Sequence, residues 1–194
     1  IARRLGAPVF EKTQTQKFAL SLERRGKVRG FSKPKTEFGM QMNEKQKARF
    51  VYCLSEKQFS NYVKEALAKK SASPTELLYK FLESRLDNTV YRMGLSTTRL
   101  GAKQIVSHGH IAVNGKRVTT PSIRVSVGDK IEINARSIGK PLFSTLDERL
   151  KNVTTPSWIK FDTIKKVAEI VGSPVLVKTD NLFDLNTVIE YYSR

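Results

Sequence analysis

The chain has 194 residues, with 35 Lys and Arg against 18 Asp and Glu, a formal net charge of +17. Its 39% apolar residues exclude a wholly disordered polymer, and its length suits one or two domains with a real core. A lone cysteine, Cys53, excludes an intrachain disulfide framework, and no apolar run approaches the ~20 residues of a membrane helix.

The charge points to a polyanion, nucleic acid or an anionic membrane surface. It is unevenly spread: residues 1–50 carry net +9, residues 51–84 net +1, residues 85–140 net +7 and residues 141–194 net zero. With a single cysteine a reducing compartment is expected, and because the opening IARRLGAPVF lacks the apolar stretch of a secretory signal, secretion is not expected. Arg3, Arg4, Arg24, Arg25, Lys27, Arg29, Lys33 and Lys35 make the first region basic. Within it, ERRGKVRGFSKPKTEFG (23–39) is glycine-rich and proline-broken, and predicts an extended arm that can lie along phosphates.

Helical periodicity starts at Asn43, read as the cap of a helix over 43–55 that buries Phe50, Val51 and Leu54. A second helix over 56–70 aligns Phe59, Tyr62, Val63, Ala66 and Leu67. A third, over 73–86, opens with Ser73 as cap, Pro74 in the first turn and Glu76 closing a capping box. Its stripe is Leu77, Leu78, Phe81, Leu82 and Leu86, and these aromatics read as core.

In STTRLGAKQIVSHGH (96–110), Ser96 or Thr97 caps a helix of about three turns that stops at Gly109. Ala102, Ile105 and Val106 face inward, while Arg99, Lys103 and Ser107 recur every four residues on a polar face. HIAVNGKRV (110–118) reads as a β-hairpin turning at Asn114-Gly115, a strong type I′ signal. Lys116 and Arg117 begin its return strand, so helix and hairpin predict one basic surface. SIRVSVGDKIEIN (122–134) adds two further strands, with Ile123, Val125 and Val127 before a Gly128-Asp129 turn and Ile131 and Ile133 after it. Ser107, His108, His110 and Asn114 add hydrogen-bonding groups suited to phosphates and 2′-hydroxyls; composition alone leaves DNA open.

Cys53, His108 and His110 lack the paired spacing of a zinc site, and no nucleophile motif accompanies the histidines. The glycines of RRGKVRGFSK lack the Gly-Lys-Ser/Thr ending of a phosphate-binding loop. No metal, cofactor or catalytic residue is expected, and Trp158 reads as an apolar anchor.

The stretch ESRLDNTVYRMGLSTTRLGAKQIVSHGHIAVNGKRVTTPSIRVSVGDKI (83–131) strongly resembles the S-four RNA-binding module. FGMQMNEKQKARFVYCLSEKQFSNYVKEA (38–66) and the ending VIEYYSR (188–194) resemble the remainder of the S-four family of small-subunit ribosomal proteins, of bacterial or organellar type. The resemblance implies an α+β fold: a mainly helical domain, an inserted small α/β module with short helices and an antiparallel hairpin sheet, and a basic N-terminal arm. The expected division is an arm over 1–43, a helical domain over 44–84 completed by 173–194, and a module over 85–172 with its core at 85–140.

The resemblance further implies a cytoplasmic, ribosome-bound, non-enzymatic protein. Its partners would be small-subunit ribosomal RNA at a multi-helix junction of the 5′ domain, protein S-five, and mRNA near its entry path, with a bearing on subunit assembly and decoding accuracy. Residues carried over as RNA contacts are Lys45, Lys47, Arg49, Arg85, Asn88, Arg92, Thr98, Arg99, Lys103, Gln104, Ser107, His108, His110, Asn114, Lys116 and Arg117. Two other classes remain: a translational repressor or other RNA-docking factor with the same module, and an RNA-modifying enzyme, for which 194 residues leave little room. The family often has Tyr-Gly where this chain has Tyr52-Cys53, and arginine where Lys103 stands, a change that keeps the charge but loses bidentate geometry. Some members bind zinc through N-terminal cysteines; residues 1–52 here contain none, so no such zinc is expected.

Overall fold

The computed structural model describes residues 1–28, 36–69, 73–144, 146–150, 153–176 and 182–193. The chain divides into two compact units. Unit 1 comprises residues 1–78 and 176–194, and unit 2 residues 79–175.

Unit 1 is helical. It contains α1 (Ala2–Leu5), α2 (Gln16–Val28), α3 (Glu37–Val51), α4 (Glu56–Ala68), the first half of α5 (Pro74–Glu83) and α9 (Leu185–Tyr192). The stretch expected to be an extended arm is thus helical up to Val28, because one glycine inside a helix costs only ~1 kcal/mol and does not by itself end it. Residues 29–35, with Arg29, Lys33 and Lys35, lie outside the described residues. The expected start of the next helix also moves. Thr36 caps α3 by accepting a hydrogen bond from the Gly39 amide at 3.2 Å, so Asn43 sits inside the helix and not at its start. Gly39 is tolerated because it lies in the first turn, where its N–H needs a side-chain partner. Ser55 caps α4 in the same way, 3.3 Å from the Gln58 amide.

The C-terminal helix closes this unit. Phe183 meets Tyr52 edge-on, Tyr192 packs near Phe59, and Tyr191 lies against Phe38. A second cluster gathers Ala2, Leu5, Ala7 and Val9 against Phe10, Phe18 and Phe50.

Unit 2 contains the second half of α5, α6 (Leu86–Arg92), α7 (Arg99–Ser107), α8 (Leu146–Leu150) and a five-stranded antiparallel sheet. The strands are β1 (Ile111–Val113), β2 (Lys116–Val118), β3 (Lys130–Ile133), β4 (Ile159–Asp162) and β5 (Val167–Ile170), in the order β2-β1-β3-β5-β4. The α+β class follows from this helical unit joined to a helix-and-sheet unit. Inward residues Ala102, Ile105 and Val106 of α7 share one core with Ile111, Ile131, Ile133 and Trp158. The Leu-rich stripe is interrupted: α5 ends at Glu83, and Leu86 opens α6.

The 122–134 run departs from expectation. Only Lys130–Ile133 joins the sheet; Arg124 makes an isolated bridge with Arg85, and the Ile123 carbonyl and Val125 amide bond the backbone of Leu86 and Ser84. Of the three apolar residues before the turn, only Val125 is therefore buried, while Ile123 and Val127 are 41% and 61% exposed. The β4–β5 hairpin extends the sheet beyond the strands expected from periodicity, in a part of the chain outside the recognisable 83–131 stretch.

Candidate nucleic-acid interface

The geometry of the interface begins with how α7 is anchored. Its N-cap is Thr98, whose hydroxyl accepts from the Gly101 amide at 2.9 Å. Ser96, one of the two expected caps, instead donates to the Thr98 carbonyl at 2.9 Å and braces the cap residue. At 100° per residue, burying Ala102, Ile105 and Val106 turns the opposite face outward. Arg99, Lys103 and Ser107 then line one flank of that face and Gln104 and His108 the other, with Leu100, 64% exposed, between them.

The helix ends in a left-handed glycine. Gly109 has φ +71°, and a Cβ there would collide with the Arg117 guanidinium. Arg117 reaches back from β2 to the carbonyls of Gly109 and His108, each at 3.3 Å. A cation on the hairpin thus covers carbonyls at the helix C-terminus, where the helix dipole favours it. The hairpin turns as expected, with Asn114 at φ 51° and Gly115 at φ 76°, both positive as a type I′ turn requires. The Asn114 side chain is committed to the fold: it donates to Asp129 at 2.8 Å and accepts from the Lys130 amide at 2.9 Å.

Strand alternation divides the two hairpin cations. Arg117 pairs with Ala112 and Lys116 with Val113, so they leave opposite faces of the strand. Only Arg117 joins the helix end, and the expected single surface for both is corrected on that point. Around the helix end, burial first, and then the charges of Lys140, His108 and Arg117, hold the His110 pKa below its ordinary value. His110 is hydrogen-bonded through Nδ1 to Ser137 Oγ at 2.9 Å and stands edge-on to Phe143. Lys140 is not among the sequence candidates; it lies beyond the recognisable 83–131 stretch.

The α6 candidates fare differently. Arg85 is 1% exposed and its guanidinium makes two hydrogen bonds to Asp87, at 3.0 and 2.6 Å. Glu83, equally buried, accepts two hydrogen bonds from Arg92 and one from Asn88. Asn88 Oδ1 in turn accepts from Arg99 Nε at 2.9 Å, and the Arg99 guanidinium lies 4.4 Å over the Tyr91 ring. Arg85 and Asn88 are therefore interior, and this network orients Arg99 at the edge of α7. The signal for it is local: two carboxylates, Glu83 and Asp87, within nine residues of all three α6 candidates.

In unit 1, Lys45 is buried and paired with Glu56 at 2.7 Å, its ammonium 4.7 Å over the Tyr191 ring. Lys47 pairs with Glu44 at 2.6 Å, and Arg49 with Glu56 at 3.6 Å. Burial favours the neutral acid of Glu56, but hydrogen bonds from Lys45 and Tyr192 and the charges of Lys45 and Arg49 outweigh it and lower its pKa. Of the N-terminal candidates, Arg3, Arg4 and Arg24 are exposed, and Arg25 and Lys27 fall in the last turns of α2. Lys103 and Lys116 have no carboxylate partner among the described residues.

Among the described residues no group of three or more His, Cys, Asp or Glu could hold a metal, and no helix is long and apolar enough to cross a membrane. What the arrangement offers is a convex helix face with cations on one flank and neutral hydrogen-bonding groups on the other, suited to a polyanion that carries both charge and edges.

Comparison with known proteins gives this arrangement a family. Residues 84–131 match the S4 domain, and residues 1–83 the ribosomal protein S4/S9 N-terminal domain. The chain is 37% identical to the small ribosomal subunit protein uS4 of Chlorobium limicola, over all of this chain and 95% of that relative. It is 38% identical to the uS4 of Acetivibrio thermocellus, over the same shares, and 40% identical to that of Desulforamulus reducens, over 82% of this chain and 76% of the relative. Matches that reach from end to end, together with both family domains in order, place this chain in the S4 family of small ribosomal subunit proteins.

Proposed function

We propose that the chain binds small-subunit ribosomal RNA directly, with the outward face of α7 and the basic hairpin against the sugar–phosphate backbone. The family is a structural, non-enzymatic component of the ribosome. The observation that carries the RNA reading is the face of α7: Lys103 stands on it without a carboxylate partner among the described residues, Arg99 is held at its edge by Asn88, and Arg117 covers its end. The net +7 of residues 85–140 and the +9 of residues 1–50 supply the wider field that draws RNA in.

By family resemblance, the RNA is a multi-helix junction in the 5′ domain, bound early in subunit assembly. Protein S-five and the mRNA entry path are the neighbours this reading assigns, along with a contribution to decoding accuracy. Arg85 and Asn88 enter it as residues that position Arg99 and not as direct contacts, because both are buried. Hydroxyl-radical footprinting of the protein on naked small-subunit rRNA tests it. Protection confined to one junction of the 5′ domain is expected; no protection at low salt, or protection elsewhere only, overturns it.

A further inference from the structure

The flank of α7 that carries Gln104 and His108 borders a concavity. Between α7 and the side chains of Leu142 and Arg149 lies a pocket of about 330 Å³. Buried Leu95 and Ile105 line it with Leu142, which is 44% exposed. Gln104 and His108, both exposed, add an amide and an imidazole, and Thr98 a hydroxyl. Arg149 donates to the Leu142 carbonyl at 3.3 Å and holds the wall opposite α7 together.

We propose that this pocket receives a single unstacked base of the bound RNA. The inference rests on the RNA-binding reading above and names what that surface reads. The volume lies at the low end of the ~300–1,000 Å³ of small-molecule sites, which suits one planar ring system and shuts out a duplex. The lining fits a base better than a phosphate. A phosphate set among Leu95, Ile105 and Leu142 would lose hydration that one arginine, already hydrogen-bonded to backbone, does not replace. A base brings an apolar face for these leucine and isoleucine side chains. It also brings an edge of donors and acceptors, which the Gln104 amide matches with one of each. The flanks then divide the nucleotide between them: Arg99 and Lys103 face the backbone, and Gln104 and His108 face a base turned out of its stack.

Filter binding of the full chain to a transcript of the small-subunit 5′ domain, over a series of salt concentrations, tests this with two variants. Leu142→Trp fills the pocket from its exposed rim, and Gln104→Ala removes the edge interaction from an exposed helix position; thermal melts check that both are folded. Roughly 10-fold weaker binding is expected for Leu142→Trp and several-fold for Gln104→Ala, with the salt slope of wild type, because the variants disturb the base and leave every phosphate in place. Wild-type affinity in the folded variants overturns the pocket and leaves the RNA reading standing. Weaker binding accompanied by a shallower slope also overturns it, since the pocket would then be holding phosphate. Failure of the wild-type chain to bind the transcript overturns the RNA reading itself and the pocket with it.

Discussion

Helices α6 and α7 belong to the same unit, and each brings arginine to the region that resembles an RNA-binding module. At the start and end of α6, Arg85 and Arg92 are consumed by Asp87 and Glu83, carboxylates that are both buried, although Arg92 itself is 33% exposed. On α7, Lys103 meets no carboxylate among the described residues, and Arg99 is oriented by the neutral amide of Asn88. Positive charge counted along a chain is therefore not the positive charge a polyanion meets. Unit 1 repeats the lesson on α3, where Lys45, Lys47 and Arg49 all pair with glutamates.

If α6 is a structural ion-pair network and α7 a binding face, the largest stability loss belongs to α6. Asp87→Ala leaves the Arg85 guanidinium buried without the carboxylate that holds it, a change that costs roughly 3–5 kcal/mol. Urea unfolding measures this directly. A loss under about 1 kcal/mol would mean that Arg85 escapes to solvent and that the contrast between the two helices is weak.

A smaller effect separates the two glycines around the hairpin. Gly109 and Gly115 both have positive φ, so alanine at either costs about 1–2 kcal/mol of backbone strain. At Gly115 nothing lies within 4 Å of an added Cβ, whereas at Gly109 the Arg117 guanidinium is in the way. Gly109→Ala should therefore destabilise more than Gly115→Ala, and it alone should also lower RNA affinity by displacing Arg117 from the helix end. Equal melting temperatures and equal affinities for the two variants would detach Arg117 from the interface.

The smallest effect concerns the α3 pairs. Glu56 titrates below an ordinary glutamate in the folded chain, so its contribution to stability is complete above the unfolded value of ~4.3 and is lost as pH falls through the lowered folded value. The stability gap between wild type and Glu56→Gln should be flat from neutral pH to about 5.5 and close below ~4. Because Glu56 is 45% exposed, solvent screening keeps that gap under about 1 kcal/mol. A gap that widens on acidification would reverse the assignment of Glu56 as the paired carboxylate.

What is legible in the sequence is what local chemistry decides. The α7 stripe, its glycine stop and the Asn114-Gly115 turn are short-range signals, and the structure places all three within a residue or two of expectation. The helical extent of residues 16–28 is masked by Gly26 and the run of cations, which argue for an arm against the apolar spacing of Phe18, Ala19 and Leu22. Ile123 and Val127 alternate like strand residues, yet their segment bonds to residues 84–86, a pairing set by tertiary packing and invisible to periodicity. The division of Lys116 from Arg117 follows from strand alternation alone and is readable without a structure. The pocket beside α7 is not, since Leu142 and Arg149 reach it from more than thirty residues downstream of Gln104.

The central claim is that the outward face of α7 with Lys103, Arg99 and Arg117, together with Lys116 on the other face of the hairpin, and not the carboxylate-paired cations of α3 and α6, carries the contact with rRNA. The most direct test is the salt dependence of binding for Lys103→Gln/Lys116→Gln, compared with wild type on the same 5′-domain transcript, with circular dichroism to confirm that both are folded. The account predicts a log–log slope shallower by roughly 1.5–2, close to one unit for each phosphate no longer neutralised, and weaker binding across the whole salt range. An unchanged slope with unchanged affinity would contradict it and place the RNA on another face of the protein.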